Sequence, residues 1–193
     1  ELAAGAVERE RTGRAPHAEV AAIAQTGLLL ARAPLAEGGE ELSLRELTDI
    51  VISIARADSS VAQALRSSLL TADVLADPAA LTVEERTRLL DRIRAGQLFA
   101  GTRNERGGQP GGIATRLRRN SEGEGYRLDG QKFYSTGALY AHWFSGSAVA
   151  EDGQVLTFTV PPDRDGGPVL DDFDSVRHRF SASGRTVFTA ARV

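Results

Sequence analysis

The side chains best suited to chemistry lie close together in the second half of the chain. Tyr134, Ser135 and Thr136 are three consecutive hydroxyl residues, and an aromatic cluster at 140–144 follows in a chain with only 6% aromatic residues. Hydroxyl groups donate and accept hydrogen bonds, and aromatic rings offer flat apolar faces. The combination favours a site that holds a flat ligand near this stretch.

A β-hairpin is predicted to position these residues. Alternating residues at 126–128 lead into Asp129-Gly130, a typical two-residue turn, because both central positions of a type I′ turn need positive φ. The returning strand then covers residues 132–136. On a regular strand Ser135 points away from its two neighbours, so the sequence leaves open which side chains face a ligand.

Composition narrows the classes of function. The chain has 193 residues, 41% of them hydrophobic, a net charge of −3 and no cysteine. The composition is that of a globular protein without disulfides, thiolate nucleophiles or cysteine-bound metal. The three histidines lack metal-ligand spacing, and neither a basic stripe for nucleic acid nor a membrane span stands out. We therefore expect a soluble, cytoplasmic protein that binds no metal.

Helical periodicity dominates the first half of the chain. Ser43 with Glu46, and Thr82 with Glu85, match the capping box that opens a helix. The spacing of apolar residues predicts at least four helices, at residues 17–32, 43–54, 61–75 and 82–96. A turn is expected at 58–60, between the second and the third.

The second half changes to a period of two with frequent glycine, so we place a domain boundary there. The expected domains are a helical one at 1–96 and a β domain at 97–193, which makes the fold α+β. A second turn is predicted at Glu151-Asp152-Gly153. The candidate strands are 98–102, 113–118, 125–128, 132–136, 143–150, 154–160, 167–170 and 185–193.

The motif G-x-K-x-aromatic-x-T-x-x-x-x-A-x-W at 130–143 resembles the flavin-facing strand of the acyl-CoA dehydrogenase superfamily. Y-S-T-G at 134–137 is most similar to its monooxygenase branch, the dibenzothiophene and dimethyl sulfone monooxygenase type. Residues 26–39 and 170–193 resemble two further blocks of that branch. The resemblance implies a helical bundle followed by a mainly antiparallel, β-barrel-like domain, without the superfamily's C-terminal four-helix domain.

The resemblance also implies roles for several of these residues. Tyr134 would pack beside the flavin ring, while Thr136 and Ser183 would hold it. Ser135 would be catalytic, since a hydroxyl beside the reactive edge of the ring can donate a hydrogen bond to activated oxygen. Phe173 would line the substrate pocket.

The glycine-rich loop at 101–112 takes the place of the superfamily's T-E-P loop, which lies over the flavin. Gly101 and Thr102 would contact the cofactor if the strand register is read without a gap. A shift of two residues would place Asn104 and Glu105 there instead. The usual T-E-P and G-S-D sequences are both absent.

The function implied is that of a two-component monooxygenase that uses reduced FMN and oxygen on a small organic substrate. Its partners would be a flavin reductase and further copies of itself in a homotetramer or dimer. A dibenzothiophene-like substrate is not supported, because residues 66–68 are Arg-Ser-Ser where sulfur-oxidising members carry an aromatic residue and a histidine. The alternatives are an FAD-dependent acyl-CoA dehydrogenase and a non-catalytic truncated homologue.

Overall fold

The long helices begin at residues whose side chains can cap them. A computed structural model describes residues 2–106, 112–121, 123–162, 169–176 and 178–193. Helix α3 (Leu44–Ala57) follows Ser43, whose Oγ accepts the Glu46 N–H at 3.3 Å while the Glu46 carboxylate accepts the Ser43 N–H at 2.8 Å. Thr82 and Glu85 make the same box before α5 (Val83–Arg94). Both predicted capping boxes are confirmed.

The other helices differ from the prediction at their ends. α1 spans Leu2–Thr12, α2 spans His17–Ala24 and α4 spans Ser59–Ala72. α4 includes most of the predicted turn, because the Asp58 carboxylate accepts two N–H groups of its first turn. α2 is shorter than predicted, because Gly27 has a φ of 82° and leads into a 3-10 turn. No helix in these described parts of the chain has the length and apolarity needed to cross a bilayer.

The described strands are β1 (Phe99–Thr102), β2 (Arg116–Arg119), β3 (Tyr126–Lys132), β4 (Trp143–Ala150), β5 (Val155–Val160) and β6 (Thr186–Arg192). They form one curled, six-stranded sheet with the order β1-β4-β2-β3-β6, and β5 pairs with β4. Three pairings are antiparallel, and the pairings of β4 with β1 and β2 are parallel. The sheet is therefore mainly antiparallel, as predicted. Its hydrophobic core includes Leu128, Phe144 and Phe188.

The predicted hairpin at Asp129-Gly130 is wrong. β3 runs straight through both residues and pairs with β2 on one edge and β6 on the other. The Asp129 carboxylate accepts the N–H of Ala190 at 2.8 Å, at a bulge where the register between β3 and β6 shifts. Gly130 is required for a different reason, because a Cβ there would lie 2.8 Å from the Cα of Thr115.

The second hairpin prediction is confirmed. β4 has the predicted bounds, and the chain turns at 151–153 into β5. Gly153 has a φ of 85° and open space around its Cα, so it supplies the conformation that the turn needs. The predicted strand at 167–170 lies partly outside the described residues, and its Val169 makes only an isolated bridge to Thr186.

The chain divides into two compact units. The helical unit contains residues 1–98 together with 175–181, and the β unit contains residues 99–174 and 182–193. The domain boundary predicted from the sequence, after residue 96, lies two residues before the division in the structure, which falls after residue 98. Residues 175–181 belong to the helical unit, although the residues on both sides of them belong to the β unit. The periodicity of the sequence did not indicate this.

The two Asp-Gly pairs allow a matched test of this topology. We expect Gly130→Asn to lower the free energy of unfolding by about 2 kcal/mol or more, because its side chain would overlap the backbone at Thr115. Gly153→Asn should cost less than about 1 kcal/mol, since asparagine tolerates positive φ in a turn. Urea denaturation of both variants measures the difference. Equal small effects would show that Gly130 occupies a turn after all.

Candidate functional site

The segment that follows β3 is irregular and does not form the predicted returning strand. Tyr134 has a φ of 55°, and the N–H of Thr136 bonds back to the carbonyl of Tyr134 at 2.8 Å. Tyr134 is 48% exposed, whereas Ser135 is 0% and Thr136 is 4% exposed. Because of this turn, Ser135 and Thr136 are both buried and Tyr134 alone faces outward. The alternation expected of a strand therefore does not apply here.

Ser135 has a fully bonded backbone and an unbonded hydroxyl. Its N–H donates to the carbonyl of Gly184 and its carbonyl accepts the N–H of Ala138, both at 3.0 Å. The Oγ atom is buried and has no hydrogen-bond partner among the described residues. A buried hydroxyl without a partner costs about 1–3 kcal/mol. The backbone hydrogen bonds thus fix Ser135 in place, while its hydroxyl makes no hydrogen bond with the described residues.

Thr136 and Ser183 meet beside it. The Ser183 hydroxyl donates to the Thr136 hydroxyl at 3.1 Å in a buried contact. The N–H of Ala138 donates to the carbonyl of Ala182 at 3.1 Å, which ties the segment to the residues before β6. The structure therefore brings together three of the residues singled out in the sequence.

The strand and loop at 101–106 run antiparallel to this segment. Isolated bridges join Gly101 to Thr136 and Asn104 to Phe133, so the register places Thr102 opposite Ser135. Thr102 is fully buried, and its hydroxyl donates to the Ser145 carbonyl at 3.0 Å. In this structure that hydroxyl is hydrogen-bonded within the sheet, and the predicted contact of Thr102 with a cofactor stays a prediction.

Arg103, Asn104 and Arg106 are the exposed residues in the described part of the loop. The carbonyl of Asn104 accepts the N–H of Phe133 at 2.8 Å. The guanidinium of Arg106 lies 4.8 Å from the centre of the Phe133 ring and 5.0 Å from that of Tyr134. Its Nη2 also donates to the Tyr134 hydroxyl at 2.6 Å, which fixes the exposed ring. Residues 107–111 of the predicted loop lie outside the described residues.

Glu105 points the other way, into the β unit. Its Oε1 accepts from the Nζ of Lys132 at 2.6 Å and from the hydroxyl of Thr115 at 2.7 Å. Its carboxylate also accepts the N–H groups of Ala114 and Thr115. Burial alone raises the pKa of Glu105, but these hydrogen bonds outweigh it and lower the pKa from 4.5 to about 2. The carboxylate is therefore ionised under all ordinary conditions.

Phe173 sits on a separate segment of the β unit. The N–H of Leu170 donates to the carbonyl of Arg185 at 3.0 Å, and the Asp172 carboxylate pairs with the Arg185 guanidinium. These contacts fasten residues 169–172 to the start of β6. Phe173 follows them and is half-buried. The structure does not place it in contact with the Ser135 segment.

A cavity of about 390 Å³ belongs to the helical unit. It is walled mainly by apolar residues of α3 and α4, such as Leu47, Val51 and Leu69, with Arg66 and His178 among its polar residues. Ser67 and Ser68 are buried rather than open to solvent. Among the described residues, no group of three His, Asp or Glu side chains could hold a metal ion.

Sequence reasoning missed the roles of two residues at the site. Lys132 appeared only as a motif position, and Glu105 only in the shifted register of the loop. One signal was present: Lys132 is the single lysine of a chain whose other 22 Lys or Arg residues are all arginine. A lone lysine within the motif indicates a position that favours a compact ammonium over a guanidinium.

The chain is similar in sequence to monooxygenases of two Pseudomonas species. No family profile matches the chain. A probable FMNH2-dependent monooxygenase, SfnC of Pseudomonas putida, is 28% identical over an alignment that covers 100% of this chain and 47% of the relative. Methanesulfinate monooxygenase MsuC from Pseudomonas fluorescens is 26% identical, with a TM-score of 0.78, and the match covers 100% of this chain and 48% of MsuC.

FMN-bound TdsC from Paenibacillus sp. A11-2 shares the fold. Its TM-score is 0.86 at 24% identity, and the match covers 100% of this chain and 49% of TdsC. The chain therefore has the acyl-CoA dehydrogenase-like fold of these proteins over its whole length, and it spans about half the length of the relatives that it matches. The fold that the motif implied is confirmed.

The buried Glu105 carboxylate predicts an acid limit to stability. Because its pKa is lower in the folded than in the unfolded chain, its contribution is complete above pH 4.5 and is lost as the pH falls towards 2. That contribution is at most about 3 kcal/mol. We expect Glu105→Gln to flatten the fall in unfolding free energy across this window, measured by urea denaturation at several pH values.

Glu8→Gln is the matched control. Glu8 pairs with Arg11 on an exposed face of α1, where solvent screens the interaction. Its replacement should leave the acid profile nearly parallel to that of the parent protein. The interpretation of Glu105 is wrong if the two variants change the profile equally.

Proposed function

Because the chain shares its fold with FMN-using monooxygenases over its whole length, we propose that it forms the flavin-binding part of a monooxygenase that oxygenates a small organic substrate. The observation that carries the proposal is the Ser135 hydroxyl, which is buried and unpartnered within the most specific motif of the chain. A hydroxyl held in this way is suited to a ligand or an activated oxygen atom as its missing partner.

The residues around Ser135 fit a flavin. Tyr134 offers an exposed aromatic face that Arg106 holds in one orientation, and a flat ring system can stack on such a face. Thr136 and Ser183 are joined through their hydroxyl groups and fix the chain on the buried side. Gly101 and Asn104 complete the site from the facing strand and loop.

FMN, when bound in reduced form, supplies the electrons that activate molecular oxygen. In this proposal Ser135 donates a hydrogen bond from its Oγ to the oxygen that is being activated, and the exposed Asn104 side chain donates a second one from the loop. Both donors belong to backbone segments that are hydrogen-bonded to the rest of the unit. Little reorganisation is then needed when negative charge develops on oxygen.

The proposal also requires that a ligand can reach the Ser135 hydroxyl. Its Oγ is sealed from solvent, and the cavity at α3 and α4 belongs to the other unit. A ligand therefore reaches the hydroxyl only after a small displacement of the backbone around it. Tyr134 at positive φ and the half-buried Phe133 mark the outer side from which the ring would approach.

The remaining assignments rest on the relatives. The preference for FMN over FAD follows from SfnC, which is named as FMNH2-dependent, and from TdsC, whose crystal structure contains bound FMN. Reduced flavin requires a reductase as partner, and the substrate is a small molecule for which Phe173 forms one wall. We further propose a cytoplasmic enzyme that assembles into dimers or tetramers.

Ser135→Ala tests the proposal, with Thr186→Val as its control. Thr186 carries another buried hydroxyl without a partner, so both variants remove an unsatisfied group and should leave the flavin-free protein at least as stable. Only Ser135→Ala should lower the rate of substrate oxygenation with FMN and a reductase, by about 100-fold.

Two measurements separate the outcomes: the melting temperature without flavin and the rate of oxygen-dependent product formation. Equal turnover in both variants would remove Ser135 from the catalytic site. A parent protein that neither binds FMN nor forms product would contradict the proposed function itself.

A further inference from the structure

Among the described residues of the β unit, Lys132 carries the most completely enclosed charge. Its side chain is 0% exposed, and the Glu105 side chain that it contacts is 7% exposed. The ammonium donates to Glu105 at 2.6 Å and to the carbonyl of Ser147 on β4 at 2.7 Å. Through Glu105 it also reaches Thr115, which precedes β2. One ion pair thus joins the end of β3, the middle of β4, the residue before β2 and the loop after β1.

The loop residues on both sides of Glu105 contact the segment that carries Ser135. Asn104 bonds to Phe133, the residue after Lys132, and Arg106 bonds to Tyr134. The three loop residues therefore contact three consecutive residues, 132–134, and the buried ion pair forms the innermost of the three contacts. The contact of Arg106 with Tyr134 is exposed, and the contact of Asn104 with Phe133 is a single backbone hydrogen bond.

We propose that Lys132 and Glu105 are positioning residues, whose ion pair fixes the loop at 104–106 against the segment at 133–136. The pair sets the location of the Asn104 side chain relative to the Ser135 hydroxyl. This inference rests on the proposed function, because the purpose of the arrangement is the flavin and oxygen site. Neither residue touches the reacting atoms.

Physical reasons favour such a role over simple stabilisation. Removing two charges from water offsets most of their attraction, so a buried ion pair contributes little stability compared with apolar side chains of similar size. The ion pair does hold the two side chains in one relative geometry, because each charge would be costly to bury without its partner. A displacement of about 1 Å at a catalytic group can lower a rate by about 100-fold.

The choice of lysine supports the same conclusion. The other 22 Lys or Arg residues of the chain are all arginine. A guanidinium is planar and larger than an ammonium, and it would not fit a fully enclosed site whose acceptors are one carboxylate oxygen and one carbonyl. The position requires a compact charge.

Chemical rescue at residue 132 tests the proposal. The chain contains neither cysteine nor methionine, so Lys132→Cys introduces a unique sulfur. Treatment of the unfolded variant with 2-bromoethylamine gives an aminoethyl side chain that restores the ammonium, and iodoacetamide gives a neutral side chain instead. Both products are then refolded and compared with the parent protein.

The first measurement is hydrogen exchange at the Phe133 N–H, which reports whether the loop is held without any flavin present. The second is affinity for FMN by fluorescence titration. We expect the ammonium product to regain parental protection and affinity within about threefold, and the neutral product to lose about tenfold or more in both. Protection and affinity that are equal in the two products would overturn the proposal.

The variant Glu105→Leu/Lys132→Met covers the case in which neither product refolds. It replaces the pair by apolar side chains of similar size, which buried sites often accept. We expect exchange within α3–α5 to stay unchanged while Phe133 exchanges faster and FMN binds about tenfold more weakly. Parental FMN affinity in this variant would overturn the proposal, whereas absence of FMN binding in the parent protein would overturn the proposed function instead.

Discussion

A buried contact between one ammonium and one carboxylate organises the β unit. Lys132 and Glu105 lie 27 residues apart, and their contact forms at 2.6 Å where β3 ends and the loop after β1 begins. The energetic balance of such a pair is close to neutral, since desolvation opposes attraction. Its importance is geometric, because alternative positions of the loop would leave a charge buried without a partner.

The segment next to Lys132 shows backbone strain of the kind found at binding sites. Tyr134 and Ala182 have φ values of 55° and 51°, which non-glycine residues rarely adopt. These two residues precede Ser135 and Ser183, so both unusual conformations adjoin hydroxyl groups of the candidate site. Strain of this kind persists only where the surrounding structure enforces it. Here the hydrogen bonds to Gly184 and Ala138 and the ion pair at Lys132 supply the enforcement.

Local signals in the sequence were sufficient wherever a short stretch decides its own conformation. The capping boxes at Ser43 and Thr82 and the turn at Asp152-Gly153 depend on neighbours within a few residues, and all three were predicted. Asp129-Gly130 carries the same local signal but forms no turn. Pairing of β3 on both edges overrides it, and one of the two partners, β6, is distant in sequence.

At the candidate site, too, the sequence was sufficient for local features and insufficient for contacts between distant segments. The motif located Tyr134, Ser135 and Thr136, and the structure adds that Ser183 reaches Thr136. The sequence could not show that Ser135 is buried without a hydrogen-bond partner, because that depends on the residues at 182–184 and on an irregular turn. It could not reveal the partner of Lys132 either, since two separated segments must first meet.

The proposed roles of these residues all require that a flavin binds against the segment after β3. The most direct measurement is an FMN titration of the isotopically labelled chain, followed through the chemical shifts of its backbone amides. We expect the largest changes at residues 133–138 and 104–106. Changes confined to residues 2–98, or no change at Ser135 under saturating FMN, would contradict binding at this segment.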